Sequence, residues 1–244
     1  MQNTFKIGST MYLLAIAELA IYNFFKGDFA MTRPRPLLES WAGVNPAMAY
    51  LSGTLLLIAV ILCFSNRHKK LALFTIAGII FCLATSRHIF NLWRDHINGF
   101  KSLWLISGAL LFLLGENPKH KMKIIWLNIV IISLFFVDCG LAHFQYADFV
   151  KSLILPYIPI PLFWTYFTGV CLMLGGIGLL IPKIQRNAAL LSSLMIGGWF
   201  LLLHIPRALT MQGDEWIGVG ESLAISGICL AMYGSFQKSI LVVN

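Results

Sequence analysis

The sequence has few charged residues and no polar segment long enough to form a soluble domain. Only 11% of its 244 residues are charged and 58% are apolar, whereas about a quarter of the residues in a soluble globular domain are charged. A chain this apolar cannot cover a surface that faces water, so lipid must be part of its environment. The composition therefore predicts an integral membrane protein and argues against a separate catalytic domain on the same chain.

The sequence also lacks the motifs of several enzyme classes. Its five cysteines lie in apolar runs and none forms a C-x-x-C pair, which argues against thiol redox chemistry and favours buried small side chains. No H-E-x-x-H zinc motif, Walker loop or G-x-G-x-x-G nucleotide motif stands in a suitable context. These absences predict no metal site and leave open whether the chain is an enzyme.

Eight apolar runs have roughly the length that a membrane span requires. They cover residues 5–25, 47–64, 70–93, 101–115, 122–144, 161–181, 187–208 and 217–236. The fourth run is short against the usual span of about 20 residues. We predict an all-α polytopic membrane protein of about eight transmembrane helices. A cleavable signal peptide at the start of the chain is the alternative for the first run, but the repeat described below needs that segment as a permanent helix.

Basic residues are distributed unevenly over the loops. With eight spans, ten of the 18 Lys and Arg residues lie on the face of the chain termini, together with a single acid, Glu116. The positive-inside rule assigns such a face to the cytoplasm. We therefore predict a multi-pass protein of a bacterial-type inner membrane with both termini cytoplasmic. The net charge of +8 then reflects topology, and we expect contact with membrane lipid rather than with nucleic acid.

The two halves of the sequence resemble each other. Residues 50–93 align with residues 166–209 without a gap, and a similar match continues upstream. The paired residues include Glu18 with Asp138, Phe24 with Phe144, Tyr50 with Tyr166, Gly53 with Gly169, and His88 with His204. Because each copy has four helices, an even number, both copies should have the same orientation in the membrane. We predict two parallel four-helix repeats, residues 1–117 and 118–244.

A few ionisable residues fall within the apolar runs. Such residues are costly in lipid unless they pair or face the interior of the bundle. Each predicted repeat carries one acid and one histidine, and an arginine lies close to each histidine. The candidate ligand-binding residues are Glu18, Arg87, His88, Asp138, His204 and Arg207. We predict that they form a polar pocket in the outer half of each repeat.

Several chemistries fit such a pocket. An acid beside a histidine can relay protons, because histidine titrates near neutral pH. The same pair can hold the oxygens of a quinone head group while apolar walls hold the tail. Two histidines on symmetry-related helices are also a possible pair of axial haem ligands. Alternatively, the acid, the histidine and the arginine simply pair with one another and fix the helix register.

The second half of the chain carries a family resemblance. A helix there ends in Gly140–Phe144 (GLAHF), and Pro161 opens the next helix, which contains Leu174–Gly178 (LGGIG). A basic hairpin then leads into an alanine-rich helix at Asn187–Leu191 (NAALL). This order resembles the DoxX family of membrane proteins, and the first half matches it more loosely. The family takes its name from a small subunit of a thiosulfate:quinone oxidoreductase, so the resemblance implies a quinone-linked redox role.

Three functional hypotheses follow from these patterns. The first is an integral membrane subunit associated with quinone-linked redox chemistry. Under this hypothesis the chain is one subunit of a quinone-dependent oxidoreductase, and a partner protein completes the membrane complex. The second is a non-catalytic scaffold or accessory subunit. The third is a transporter of small solutes or protons, which the scarcity of ionisable groups in the cytoplasmic halves of the helices disfavours.

Overall fold

The structure is a computed structural model that describes residues 2–29, 31, 46–65, 68–85, 95–115, 117–211 and 214–236. The regular elements in these ranges are all helices, and no strand occurs within them. In chain order they are α1 (Gln2–Lys26), α2 (Pro46–Phe64), α3 (Lys69–Ile80, followed by a π-helical turn Phe81–Thr85), α4 (His96–Leu114), α5 (Pro118–Gln145), α6 (Ala147–Leu153), α7 (Pro161–Leu180), α8 (Gln185–Trp199, followed by a π-helical turn Phe200–His204), α9 (Ile205–Thr210) and α10 (Glu215–Phe236). The predicted all-α class is confirmed.

Seven helical spans in the described part of the chain are long and apolar enough to cross a membrane. They correspond to seven of the eight predicted apolar runs, with α8 and α9 forming one continuous span. The remaining run, 70–93, is helical as far as Thr85, and its later residues lie outside the described ranges. The chain is therefore a multi-pass membrane protein, and an eighth span stays a prediction.

The helix α4 corrects the expectation of a short fourth span. It begins at His96 and has 19 residues, whereas hydropathy alone starts the run at residue 101. Two polar side chains near its start have partners: His96, which lies before the predicted run, pairs with Asp138, and Lys101, the first residue of that run, pairs with Glu221. Because these side chains are paired, the helix can include residues that hydropathy assigns to a loop.

The last helix, α10, lies at the centre of the bundle. In its most apolar stretch 78% of the residues are buried, compared with 17% in the span that covers residues 185–210. It packs against α1 in antiparallel orientation, and a Cβ placed on Gly227 would lie only 2.6 Å from the carbonyl oxygen of Gly8. Small residues permit such close approach of membrane helices, so these two glycines set the spacing between α1 and α10.

The helices form two rings that share one pair of helices. From α1 to α4 each helix packs against the next, and α5, α7, α8 and α10 follow the same order. Three further contacts join these two rows of helices to each other: α10 packs against α1, α4 packs against α5, and α4 packs against α10. One ring consists of α1, α2, α3, α4 and α10, and the other consists of α5, α7, α8, α10 and α4. Contacts between α4 and α10 therefore affect both rings.

Two aromatic pairs occupy corresponding places in the two rings. The rings of Phe24 and Tyr50 have centroids 5.8 Å apart, where α1 meets α2. The rings of Phe144 and Tyr166 have centroids 5.3 Å apart, where α5 meets α7. Aromatic pairs at such distances stabilise helix contacts. All four residues belong to the sequence pairs that the internal alignment predicts to be equivalent.

The glycine contact between α1 and α10 can be tested by Gly227→Ala. The added methyl group would overlap with backbone atoms of α1, which cannot rotate away, so the helices must separate. We expect the free energy of unfolding to fall by about 1–3 kcal/mol, as in other overpacked interiors. Thermal unfolding in detergent would measure the change.

The matched control is Gly198→Ala in α8, because no atom of the described residues lies within 4 Å of a Cβ at that position. This variant should unfold at the wild-type temperature or above it. Equal melting temperatures for the two variants would contradict the importance of the glycine contact.

Candidate functional site

Lys101 and Glu221 form an ion pair between the two helices that the rings share. Nζ of Lys101 in α4 lies 2.7 Å from Oε2 of Glu221 in α10. The Glu221 side chain is 9% exposed and the Lys101 side chain 25%. Glu221 lies six residues inside α10, or about 9 Å from the helix start, at the end of the bundle opposite the chain termini. Charges at such depth are tolerated when an opposite charge compensates them. Lys101 and Glu221 therefore compensate each other's charge inside the bundle.

Glu18 of α1 brings a second acid to this ion pair. Its Oε2 lies against the backbone of Gly220, in the space that a Cβ would occupy, and it interacts electrostatically with Glu221. Among the described residues, Oε2 of Glu18 and Oε1 of Glu221 are buried without a hydrogen-bond partner. Since buried polar atoms nearly always have a partner, these oxygens mark a place where a donor can bind. We call Glu18, Lys101 and Glu221 the charged cluster.

Asp138, the predicted equivalent of Glu18, has a different partner. Its Oδ2 lies 2.5 Å from Nδ1 of His96, and the two side chains are 23% and 51% exposed. The acid therefore pairs with a histidine, as the sequence predicted, but that histidine is His96 at the start of α4 and not His204. The next residue, Cys139, interacts electrostatically with Lys101, so this end of α5 lies beside the charged cluster.

His204 approaches the charged cluster from the second ring. It is the last residue of the π-helical turn after α8, and its ring lies against Gly218 of α10, where a Cβ would be 2.7 Å from Nδ1. It interacts electrostatically with Lys101 and with Arg207. His204, a predicted ligand-binding residue, therefore ends a π-helical turn. Turns of this kind occur frequently at functional sites.

Arg207 is held by contacts that fix neighbouring segments. It is 6% exposed, and its Nε and Nη2 donate hydrogen bonds of 2.9 and 2.8 Å to the two carboxylate oxygens of Glu215. Its Nη1 donates to the carbonyl oxygen of Leu153, at the end of α6. A bidentate arginine–carboxylate pair of this kind fixes the relative orientation of the two side chains and compensates their charges. Arg207 therefore holds α6 and the start of α10 together, and its contact with a ligand stays a prediction.

Two further predicted residues, Arg87 and His88, lie outside the described residues. At the end of the bundle that holds the charged cluster, Nζ of Lys26 lies 2.5 Å from Oδ1 of Asp214, and the Tyr22 hydroxyl donates a 3.1 Å hydrogen bond to that oxygen. These contacts join the end of α1 to the start of α10. Along α1, Tyr22 lies about one helical turn beyond Glu18, and Lys26 lies about two turns beyond it.

Lys101 and Glu221 are not among the predicted ligand-binding residues. Lys101 fell at the edge of a run and was counted with a loop, while the acid on α10 had no obvious partner. A usable signal was present, because a lysine inside a membrane helix needs an acid on another helix. The identity of that acid depends on the contact between α4 and α10, which the sequence does not reveal.

Metal binding finds no support among the described side chains. They contain no group of three or more His, Cys, Asp or Glu residues that could hold a metal ion. The two histidines of the region, His96 and His204, occupy separate places, against Asp138 and Gly218 respectively. The chemistry that the charged cluster offers is hydrogen bonding and proton exchange.

Comparisons with protein-family models, with curated proteins and with solved structures found no match. Interpretation of the site therefore depends on its geometry.

The ion pair can be tested by Lys101→Met, which leaves the carboxylate of Glu221 without a counter-charge. We expect the free energy of unfolding to fall by about 3 kcal/mol, the lower end for broken buried pairs, because Lys101 keeps part of its side chain exposed. The double variant Lys101→Met/Glu221→Gln should regain most of the loss. Thermal unfolding in detergent measures both effects.

The control is Lys151→Met, since Lys151 pairs at 3.1 Å with Asp148, which is 97% exposed. Exposed pairs contribute about 1 kcal/mol or less, so this variant should change little. Failure of the double variant to recover would contradict the interpretation.

Proposed function

We propose that this chain is an integral membrane subunit associated with quinone-linked redox chemistry, and that the charged cluster binds the quinone head group. The observation that carries the proposal is the pair of buried oxygens on Glu18 and Glu221 that lack a hydrogen-bond partner among the described residues. They lie beside Lys101 in helices that are long and apolar enough to cross a membrane. A polar, incompletely satisfied site with apolar surroundings suits an amphiphilic ligand.

The side chains of the charged cluster suit both redox states of a quinone. The carbonyl oxygens of the oxidised head group accept hydrogen bonds, which Lys101 can donate. The hydroxyl groups of the reduced form donate hydrogen bonds, which the carboxyl oxygens of Glu18 and Glu221 can accept. His204, which interacts electrostatically with Lys101, adds ring nitrogens that can donate or accept a hydrogen bond. Under this proposal a partner protein supplies the electrons, and the chain supplies the membrane-embedded binding site.

We also propose that the chain consists of two parallel four-helix repeats, residues 1–117 and 118–244, with eight spans in total. The support is the matching order of helix contacts in the two rings and the aromatic pairs of α1 with α2 and of α5 with α7. The resemblance of the sequence to the DoxX family favours the same division and the same link to quinone chemistry.

A second candidate function is that of a non-catalytic accessory subunit. The observation in its favour is that several charges in this region already have partners. Arg207 is paired with Glu215, Lys26 with Asp214, and Asp138 with His96. Such pairs can serve only to fix the helices against one another. The two functions differ in whether Glu18, which has no such partner among the described residues, matters for a ligand or for stability.

Glu18→Gln provides the test of quinone binding. The substitution keeps the shape of the side chain and breaks no described ion pair, but it removes the ionisable carboxyl group. We expect short-chain ubiquinone and menaquinone analogues to bind the purified wild-type protein, and one of them to bind the variant at least about tenfold more weakly, a loss of about 1.4 kcal/mol. Quenching of tryptophan fluorescence measures the affinity.

The control for this experiment is Asp148→Asn, which removes an exposed acid and should leave the affinity unchanged. Absence of saturable binding to the wild type would reject the quinone proposal. If Glu18→Gln changes only the melting temperature, the accessory function is the better description.

We further propose that the chain lies in a bacterial-type inner membrane with both termini in the cytoplasm. The test uses single cysteines, in a background without the five native ones, at two exposed positions: Lys119 in a basic hairpin and Ser152 on the opposite side. In intact spheroplasts a membrane-impermeant maleimide should label Ser152→Cys and should label Lys119→Cys only after permeabilisation. The reverse pattern would invert the topology.

A further inference from the structure

The charged cluster contains more negative than positive groups. Its one cation, Lys101, is engaged by Oε2 of Glu221 at 2.7 Å. Glu18 is the second acid, and its described electrostatic interaction is with Glu221, a group of the same sign. If both acids were ionised, the cluster would hold an uncompensated negative charge inside a membrane-crossing bundle.

The surroundings of Glu18 offer no compensation for a negative charge. The titratable groups on the two helices packed against α1 are Tyr50 and Cys63 on α2, and Glu215, Glu221, Cys229 and Tyr233 on α10. None of them is a cation, and Glu215 is already engaged by Arg207. On α1 itself Lys26 lies two turns away and pairs with Asp214. Lys101 of α4 is the cation of the charged cluster, and Glu221 lies against it at 2.7 Å.

Packing shields one oxygen of Glu18 from water. Its Oε2 is buried against the backbone of Gly220 and has no hydrogen-bond partner among the described residues. Burial disfavours the charged form of a carboxyl group, and a neighbouring carboxylate disfavours it further. The position of Glu18 therefore favours its neutral form.

We propose that the charged cluster is a proton-binding site: at neutral pH Glu18 is a neutral carboxylic acid, and Glu221 is the carboxylate that compensates Lys101. One bound proton makes the three groups neutral as a set. The proton also gives Glu18 a hydrogen-bond donor, and Oε1 of Glu221 is a buried acceptor with no partner among the described residues. The inference does not rest on quinone binding, but if a quinone binds there, Glu18 is the group that can donate a hydrogen bond to its carbonyl oxygen.

Infrared difference spectroscopy of the purified protein at neutral pH tests the proposal. A protonated carboxyl group has a carbonyl stretch at higher frequency than a carboxylate, and the spectrum of wild type minus Glu18→Gln isolates the contribution of this residue. We expect the difference to contain a carboxylic acid band that shifts in heavy water. A difference that contains only carboxylate bands would overturn the proposal.

Glu221→Gln tests the dependence on the neighbouring acid. With Glu221 neutral, Glu18 becomes the single acid beside Lys101 and should ionise, so its carboxylic acid band should disappear although the residue is still present. Persistence of the band would overturn the role assigned to Glu221. Asp148→Asn, which alters an exposed acid, should leave the carboxylic acid region unchanged. None of these measurements requires a quinone, so their failure is distinguishable from failure of the binding test.

Discussion

The ion pair between Lys101 and Glu221 is the interaction on which the arrangement of the two rings depends. It joins α4 to α10, the two helices that belong to both rings. Neither charge can remain in an apolar interior alone, since desolvation of a single ion costs several kcal/mol. The pair therefore restricts how α4 can slide or rotate against α10, and with them the helices that each ring packs around. The ion pair adds to the close packing of the helices, which lacks a hydrophobic driving force because lipid is equally apolar.

Two glycines on α10 bring the other functional side chains to that ion pair. Gly218 and Gly220 are two residues apart, so they face nearly opposite sides of the helix. One of them leaves space for the ring of His204, and the other leaves space for the carboxyl group of Glu18. A side chain at either position would displace its neighbour from the helix surface. The same glycines thus allow neighbouring helices to pack closely against α10 and leave space for the side chains of the candidate site. This agrees with α10 being the most buried of the candidate spans.

The sequence predicts the class of fold well, because long apolar runs have few structural alternatives in lipid. It also identifies Glu18, Asp138 and His204, since an ionisable residue within such a run requires an explanation. It does not predict their partners. Hydropathy excluded His96 from the fourth span and left Lys101 at its edge, and the partner of each is an acid more than 40 positions away in sequence. Which helices meet is decided by side-chain packing, and Arg207, predicted to contact a ligand, also holds α6 and α10 through hydrogen bonds.

The predicted equivalence of Glu18 and Asp138 does not extend to their surroundings. Asp138 has a basic partner in His96, and both side chains are partly exposed, so its charge is compensated and solvated. Glu18 is placed against a glycine backbone and another acid. The same kind of group at matching positions therefore has different surroundings: Asp138 faces a basic partner, and Glu18 faces a second acid. If the chain arose from two copies of one unit, the acid of the first copy is the one that lies against another acid, as the proposed proton site requires.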